Sequence, residues 1–260
     1  MSKVLSVLSI LVCLLPCAAS AKWSDVKTKG TIRMATEGAF APFNFYEGKK
    51  LTGFEVELGD LLAKEMKLKN TWMTLPFESL LIGLAQNRFD MVIASHGITP
   101  ARAKSVDFAN PHYCTGGIIL TREGGPLKLS ELAGKKLGVQ VGSSYYEQLK
   151  KLAADMKPAP QIQTFPKDTD SLSALMLKRI DAMVTDRFVA ASASKKHKDK
   201  GLKMGEIIFL ERVAMAAPKG DSEIISALNT ALDTLLKNGS YKKLSMKYFD
   251  EDVRCPVDQH

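Results

Sequence analysis

Short apolar runs alternate with stretches whose apolar residues recur every three or four positions. Residues 31–35, 71–75 and 91–94 are runs of the first kind and predict strands. Residues 54–66, with apolar side chains at Val56, Leu58, Leu61, Leu62 and Met66, predict a helix, and residues 79–86 a shorter one. After Pro111 the alternation restarts. Residues 117–121, 137–141, 162–165, 182–185 and 212–217 predict strands, residues 144–156 and 171–177 predict helices, and a terminal helix begins near Glu223. Strands that alternate with amphipathic helices predict an α/β architecture built on parallel sheet.

Two segments echo each other. GLAQNRFDMVIA (83–94) and LMLKRIDAMVTD (175–186) both read as helix, basic residue, apolar residue, Asp, apolar strand. Asp90 and Asp181 take equivalent places, where an acid that caps or turns the chain has a structural role. The echo predicts two similar lobes, each ending a strand at a shared cleft, where open α/β sheets bind ligands. Just beyond these strands come Thr99 and Arg102, in GITPARAKSVDF (97–108), and Asp186. A cation from one half and an anion from the other suit the two charges of a zwitterion. They predict a clamp for a small amino acid rather than a catalytic centre.

The N-terminus changes the compartment. Lys3, the apolar residues 4–15 and Ala19-Ser20-Ala21 match an export signal, residues 1–21, cleaved after Ala21. The apolar run is short of the roughly 20 residues of a membrane span, and Pro16 disfavours a lipid anchor at Cys17. The formal net charge of +8 is spread along the chain. Its densest run, KKHKDK (195–200), has no zinc-knuckle, RNA-binding or basic-helix signature beside it and reads as a solvated loop, not a nucleic-acid patch. Beyond the leader the cysteines are Cys114 and Cys255. In an oxidising compartment they predict one disulfide, with two unpaired buried thiols as the alternative. No CxxC or His/Cys cluster predicts a metal site, and nothing predicts a cofactor.

Seven segments then carry a resemblance: ATEGAFAPFNF (35–45), LTGFEVEL (51–58), GITPARAKSVDF, NPHY (110–113), LAGKKLGVQVGSSYYEQL (132–149), LMLKRIDAMVTD and NGSYKKLSMKYFDEDV (238–253). In this order and spacing the chain resembles the polar amino acid-binding proteins of bacterial ABC importers, solute-binding family 3. The resemblance implies a type II periplasmic binding fold, two α/β lobes joined by two crossing hinge strands. Lobe 1 would hold residues 22–115 and 211–260, and lobe 2 residues 116–210. It also implies a periplasmic monomer that closes on its ligand by a hinge motion, catalyses nothing, and delivers the ligand to an inner-membrane ABC permease.

The same resemblance assigns roles. Arg102 would hold the ligand α-carboxylate, which a guanidinium fork matches bidentately. Asp186 would take the α-ammonium, a helix N-cap being the alternative. Ser144, with the backbone from Gly142 onward, would help hold the carboxylate at a helix N-terminus, again with a capping alternative. Tyr145 would face the ligand or pack. Ser95 and Gly97 would offer backbone groups, while Gly97 and Ala94 lack a hydroxyl that relatives carry. His96 is expected to point into lobe 1 and satisfy a local hydrogen bond. Glu37, Phe40 and Phe77 would set specificity: an acid between two ring faces favours a cationic side chain, core packing being the alternative for the rings. Gln140 would add a polar contact. The favoured ligand is arginine, lysine or ornithine, ahead of glutamine or histidine. The rivals are a cyclohexadienyl dehydratase-like enzyme on the same fold, with Glu37 or His96 as acid or base, and a sensory module that feeds no transporter.

Overall fold

The computed structural model describes residues 23–256. The expected leader, its cleavage after Ala21, and Cys13 and Cys17 lie outside the described residues. In the first half the chain forms α1 (Trp23–Lys29), β1 (Thr31–Thr36), β2 (Ala39–Phe40), β3 (Asn44–Glu47), β4 (Lys50–Thr52), α2 (Phe54–Glu65), β5 (Lys69–Thr74), α3 (Phe77–Ala85) and β6 (Met91–Val92). A long strand, β7 (Val106–Arg122), leads to β8 (Lys136–Gln140), α4 (Ser144–Ala153), β9 (Gln161–Phe165), α5 (Asp168–Met176), β10 (Ala182–Asp186) and α6 (Arg187–Lys196). A second long strand, β11 (Leu202–Pro218), returns to α7 (Ser222–Lys237) and α8 (Ser240–Phe249).

The main sheet has the order β5-β1-β6-β11-β7-β10-β8-β9. β1 pairs parallel with β5 and β6, and β8 pairs parallel with β9 and β10. The two parallel halves are joined by β7 and β11, which pair antiparallel from Val106↔Pro218 to Arg122↔Leu202. This is the two-lobed α/β fold with two crossing strands. Only residues 117–121 and 212–217 of the crossing strands were legible as strand. Their remainders carry polar residues such as Asp107, His112, Lys203 and Glu211, and apolar periodicity does not mark them.

Burial explains the readable elements. All five residues of β10, which pairs parallel with β8 and antiparallel with β7, are buried, as expected for an inner strand covered on both faces. In α2, Phe54, Val56, Leu58 and Leu62 are buried. That helix starts after Gly53, whose φ of 120° and whose approach to Phe43 leave no room for a side chain: a Cβ there would lie 2.3 Å from the Phe43 carbonyl oxygen. The three-stranded sheet β2-β3-β4 was not predicted, because strands of two to four residues are too short to show a period.

The echoed segments form matched units. The Asp90 N–H donates to the Arg33 carbonyl, and the Asp181 N–H to the Lys136 carbonyl, both at 2.8 Å. Each carboxylate takes the backbone N–H of the same residue in return, again at 2.8 Å. Both aspartates therefore clip the start of a strand to its parallel neighbour, a structural role, though by joining strands rather than by capping a helix or turning the chain.

Cys114 and Cys255 form a disulfide, with Cα atoms 4.7 Å apart. It fastens the C-terminal tail to β7, and the Cys114 N–H donates to the Val253 carbonyl at 3.1 Å. Among the described residues no helix is long and apolar enough to cross a membrane.

Candidate functional site

The carboxyl ends of β1, β6, β8 and β10 converge where the halves meet. From the β6 end, the chain passes through Ser95, His96 and Gly97 to a single 3₁₀ turn, residues Arg102–Lys104. Thr99 starts this turn, its Oγ1 accepting the Arg102 N–H at 3.2 Å. The Arg102 guanidinium donates to the Gly97 carbonyl at 2.9 Å and to the Gly142 carbonyl at 3.0 Å. It thus spans both lobes, and it lies over the Phe77 ring, 5.6 Å from the centroid. Among the described residues no carboxylate forms an ion pair with it.

In lobe 2, Asp186 ends β10 and starts α6. Its Oδ1 accepts the N–H groups of Phe188 and Val189 at 2.7 and 3.4 Å, so the N-cap reading is realised. Its Oδ2 accepts from the Tyr145 hydroxyl at 3.3 Å. Tyr145 is buried, and its ring packs against Phe209 at 5.7 Å. The cap of α4 is Ser143, whose Oγ accepts the Tyr146 N–H at 3.2 Å. Ser144 is the next residue, so the serine offered as a cap stands one place beyond it.

A second contact closes the cleft. Gln140 Nε2 donates to Glu37 Oε1 at 2.7 Å, linking the ends of β8 and β1 across 103 positions of sequence. Phe40 stacks on Phe43 at 5.8 Å, and Phe77 on His96 at 4.3 Å. One face of each ring is therefore taken within lobe 1. The His96 Nδ1 is buried without a partner among the described residues, and its ring is stacked on Phe77. Ser95 is engaged inside lobe 1. Its N–H and Oγ donate to Glu55 at 2.7 and 3.0 Å, so neither group faces the cleft as a free donor. Glu55 is fully buried and also receives Asn44 Nδ2 at 2.8 Å and meets His112 Nε2 at 3.0 Å. This hub fixes the loop that carries Gly97 and Arg102.

Four acids share the site. Burial pushes Glu37 up to about 7, aided by the charge of Asp168 and opposed by the Gln140 hydrogen bond. Burial pushes Asp168 up to about 7, with Asp186 adding to the rise. Asp186 is pushed up to about 6 by burial, against the two α6 amides and Tyr145. Glu211, on β11, is pushed up to about 7 by burial, with Asp186 adding and with Ser144 and Arg102 opposing. Burial and Arg102 hold His96 well below its ordinary value, so it is neutral. Burial and Asp186 hold Tyr145 well above its own, so it stays a donor. Buried carboxyls close together beside one guanidinium make a pocket short of positive charge, which a cation entering it would supply. Among the described residues no group of three or more His, Cys, Asp or Glu side chains is placed to hold a metal ion.

Glu211 and Asp168 were not found from the sequence. The signal for Glu211 lay at Gly97, where a missing side chain leaves space for another group. Nothing local says which group fills it.

A two-lobed α/β fold with a polar cleft between the lobes defines a class of solute-binding proteins. Residues 32–251 match bacterial extracellular solute-binding proteins, family 3, and the chain belongs to that family. It is 33% identical over 234 residues to the L-cystine-binding protein TcyJ of Escherichia coli (strain K12), covering 88% of this chain and 86% of TcyJ. Among solved structures it is similar to an ancestral arginine-binding protein bound to arginine, with TM-score 0.81 and 34% identity over 85% of this chain and 98% of that one. It is also similar to the ancestral amino acid-binding protein AncCDT-1, a precursor of cyclohexadienyl dehydratase, with TM-score 0.80 and 29% identity over 87% and 98% of the two chains.

Proposed function

We propose that this protein is the periplasmic binding component of an ABC importer for a polar L-amino acid, with arginine, lysine or ornithine favoured over glutamine or histidine. The observation that carries this reading is the placement of Arg102, anchored by carbonyls from both lobes, near buried acids that, among the described residues, form no ion pair. Arg102 takes the ligand carboxylate, Asp186 takes its ammonium, and Ser144 supports the carboxylate from lobe 2. Glu37, released from or shared with Gln140, meets the side chain, flanked by Phe40 and Phe77. The relatives described as binding cystine or arginine support an amino acid ligand.

The protein works as a monomer. It divides into residues 22–115 with 211–260, and residues 116–210. Both divisions fall at facing positions of the crossing strands, Thr115↔Glu211 and Gly116↔Leu210, where a hinge bends the two strands together. Ligand closes the lobes by binding the closed form better, and an inner-membrane permease receives the closed form. The export signal sends the chain to the periplasm.

One observation favours a second reading, a dehydratase acting on cyclic acids: the Glu37 proton is held near neutral pH, the range of a general acid. The test is a thermal-shift screen of ligand-stripped protein against the common L-amino acids, ornithine and prephenate. Ligand bound only by the native state raises the melting midpoint. The largest shift is expected with arginine, lysine or ornithine. A shift with glutamine or cystine alone would overturn the basic-ligand assignment. A shift with prephenate alone, with turnover, would establish the enzyme.

A further inference from the structure

Strand β11 brings a carboxylate into the cleft at the point where the lobes meet. Glu211 faces Thr115 across the crossing strands. The loop after β6 is stitched to the same strand. The Ala214 N–H donates to the His96 carbonyl at 3.1 Å, the Ile98 N–H donates to the Arg212 carbonyl at 2.9 Å, and Gly97 bridges Val213 between them. This register sets Gly97 directly against Glu211. A Cβ built on Gly97 would lie 1.8 Å from Glu211 Oε1 and 2.3 Å from its Cδ, far inside van der Waals contact. The backbone of Gly97 is not in the left-handed region, so its conformation does not call for glycine. The carboxylate does: any side chain at position 97 would evict it.

The carboxylate so admitted is only half satisfied: the Ser144 and Tyr145 side chains hydrogen-bond to it, but not at both oxygens. Its Oε2 is buried and, among the described residues, receives no hydrogen bond. The nearby Arg102 donates to the Gly97 and Gly142 carbonyls instead. Asp186, the acid on the far side, is already well occupied, with two amides on Oδ1 and the Tyr145 hydroxyl on Oδ2. A primary ammonium has three N–H groups to place, more than Asp186 can accept alone.

We propose that Glu211 is a specificity-determining residue of the cleft. Its carboxylate, given room by Gly97, joins Asp186 in seating the primary ammonium of the bound amino acid beside Arg102. The proposal rests on the amino acid-binding reading above and adds to it a second acid on the hinge strand. Because Glu211 sits at the crossing, the ammonium also touches the element about which the lobes turn.

The test is titration calorimetry of wild type, Glu211→Gln and Gly97→Ser with two probes. One is L-arginine, replaced by whichever amino acid gives the largest thermal shift with wild type. The other is its counterpart lacking only the α-amino group, 5-guanidinopentanoate for arginine. Glu211→Gln keeps the shape and removes the charge, and should weaken the amino acid about tenfold or more while changing the des-amino acid less than about twofold. Gly97→Ser, which displaces the carboxylate from the opposite side, should show the same selective loss. Melting curves confirm that each variant is folded. Unchanged amino acid affinity in Glu211→Gln would overturn the proposal. So would equal loss of both probes, which would mark a structural role, and so would tighter binding, which would make Glu211 a competitor for Arg102. If wild type binds no amino acid, the functional reading itself has failed, and the seat fails with it.

Discussion

In lobe 1, α3 runs through Asn87 and Arg88 to Asp90 and β6. In lobe 2, α5 runs through Lys178 and Arg179 to Asp181 and β10. The turns match closely: Asn87 and Lys178 have φ of 57° and 61°, and each aspartate makes the same pair of bonds to the neighbouring strand. The small apolar clusters beneath also correspond, with Leu80, Leu84 and Phe89 in one and Ala174, Leu175 and Ile180 in the other. The units then end differently. β6 stops at Val92 and becomes a loop stitched to β11, whereas β10 runs directly into α6. A helix start presents unpaired N–H groups and the positive end of the helix dipole, so the side chain there is an acid. The loop has no such field and is lined by carbonyls, so it can hold a guanidinium. The placement of Arg102 past β6 and of Asp186 past β10 follows from how the backbone continues beyond two otherwise equivalent strands.

The largest expected effect breaks this comparison at its cation. Arg102→Ala removes the guanidinium link between Gly97 and Gly142 and, on the proposed role, the charge-assisted bonds to the ligand carboxylate. It should weaken every amino acid bound by wild type about a hundredfold or more in calorimetry. Near-normal affinity would show that lobe 1 does not supply the anchor.

The next effect tests the acids. Glu37, Asp168, Asp186 and Glu211 are raised to about 7, 7, 6 and 7 in the folded protein, against about 4 in an unfolded chain. Between those values the folded protein holds more protons than the unfolded chain, so stability falls as pH rises through the window and levels off above about pH 8. Neutral His96 acts the other way below its ordinary value, one group against four. Urea unfolding should show ligand-free protein more stable at pH 5 than at pH 8 by several kcal/mol. Equal or greater stability at pH 8 would mean that the acids are not buried together as described. Glu37→Gln should reduce the difference and weaken arginine more than glutamine.

The smallest effect sharpens the match between the lobes. Asp90 pairs with the partly exposed Arg33 at 2.7 Å in addition to its backbone bonds, and among the described residues Asp181 forms no such ion pair. Asp90→Ala should cost about 2 kcal/mol and Asp181→Ala about 1 kcal/mol in urea unfolding. A larger loss at Asp181 would reverse the comparison.

The parts of the site legible in the sequence were those carried by local pattern. Arg102 and Asp186 stood at the ends of apolar runs, and Asp90 and Asp181 stood at equivalent turns. The illegible parts depend on register between distant strands. The Glu37–Gln140 bond spans 103 positions, and the Tyr145–Asp186 bond spans 41. Asp168 reads as an ordinary first residue of a helix until burial beside Asp186 changes its chemistry.

By itself the sequence determined the alternation of strands and helices, the echo between the halves, the cysteine pair and the family. Each of these is written in side-chain spacing or in motifs within one segment. Only the tertiary structure decided that β7 and β11 cross as one long ladder and that Arg102 is held by carbonyls from both lobes. The fold also decided that Ser95 turns inward to Glu55 and that Glu211 fills the space left at Gly97. These depend on which backbones lie side by side after folding, and apolar periodicity, which reports burial but not partners, carries no record of it.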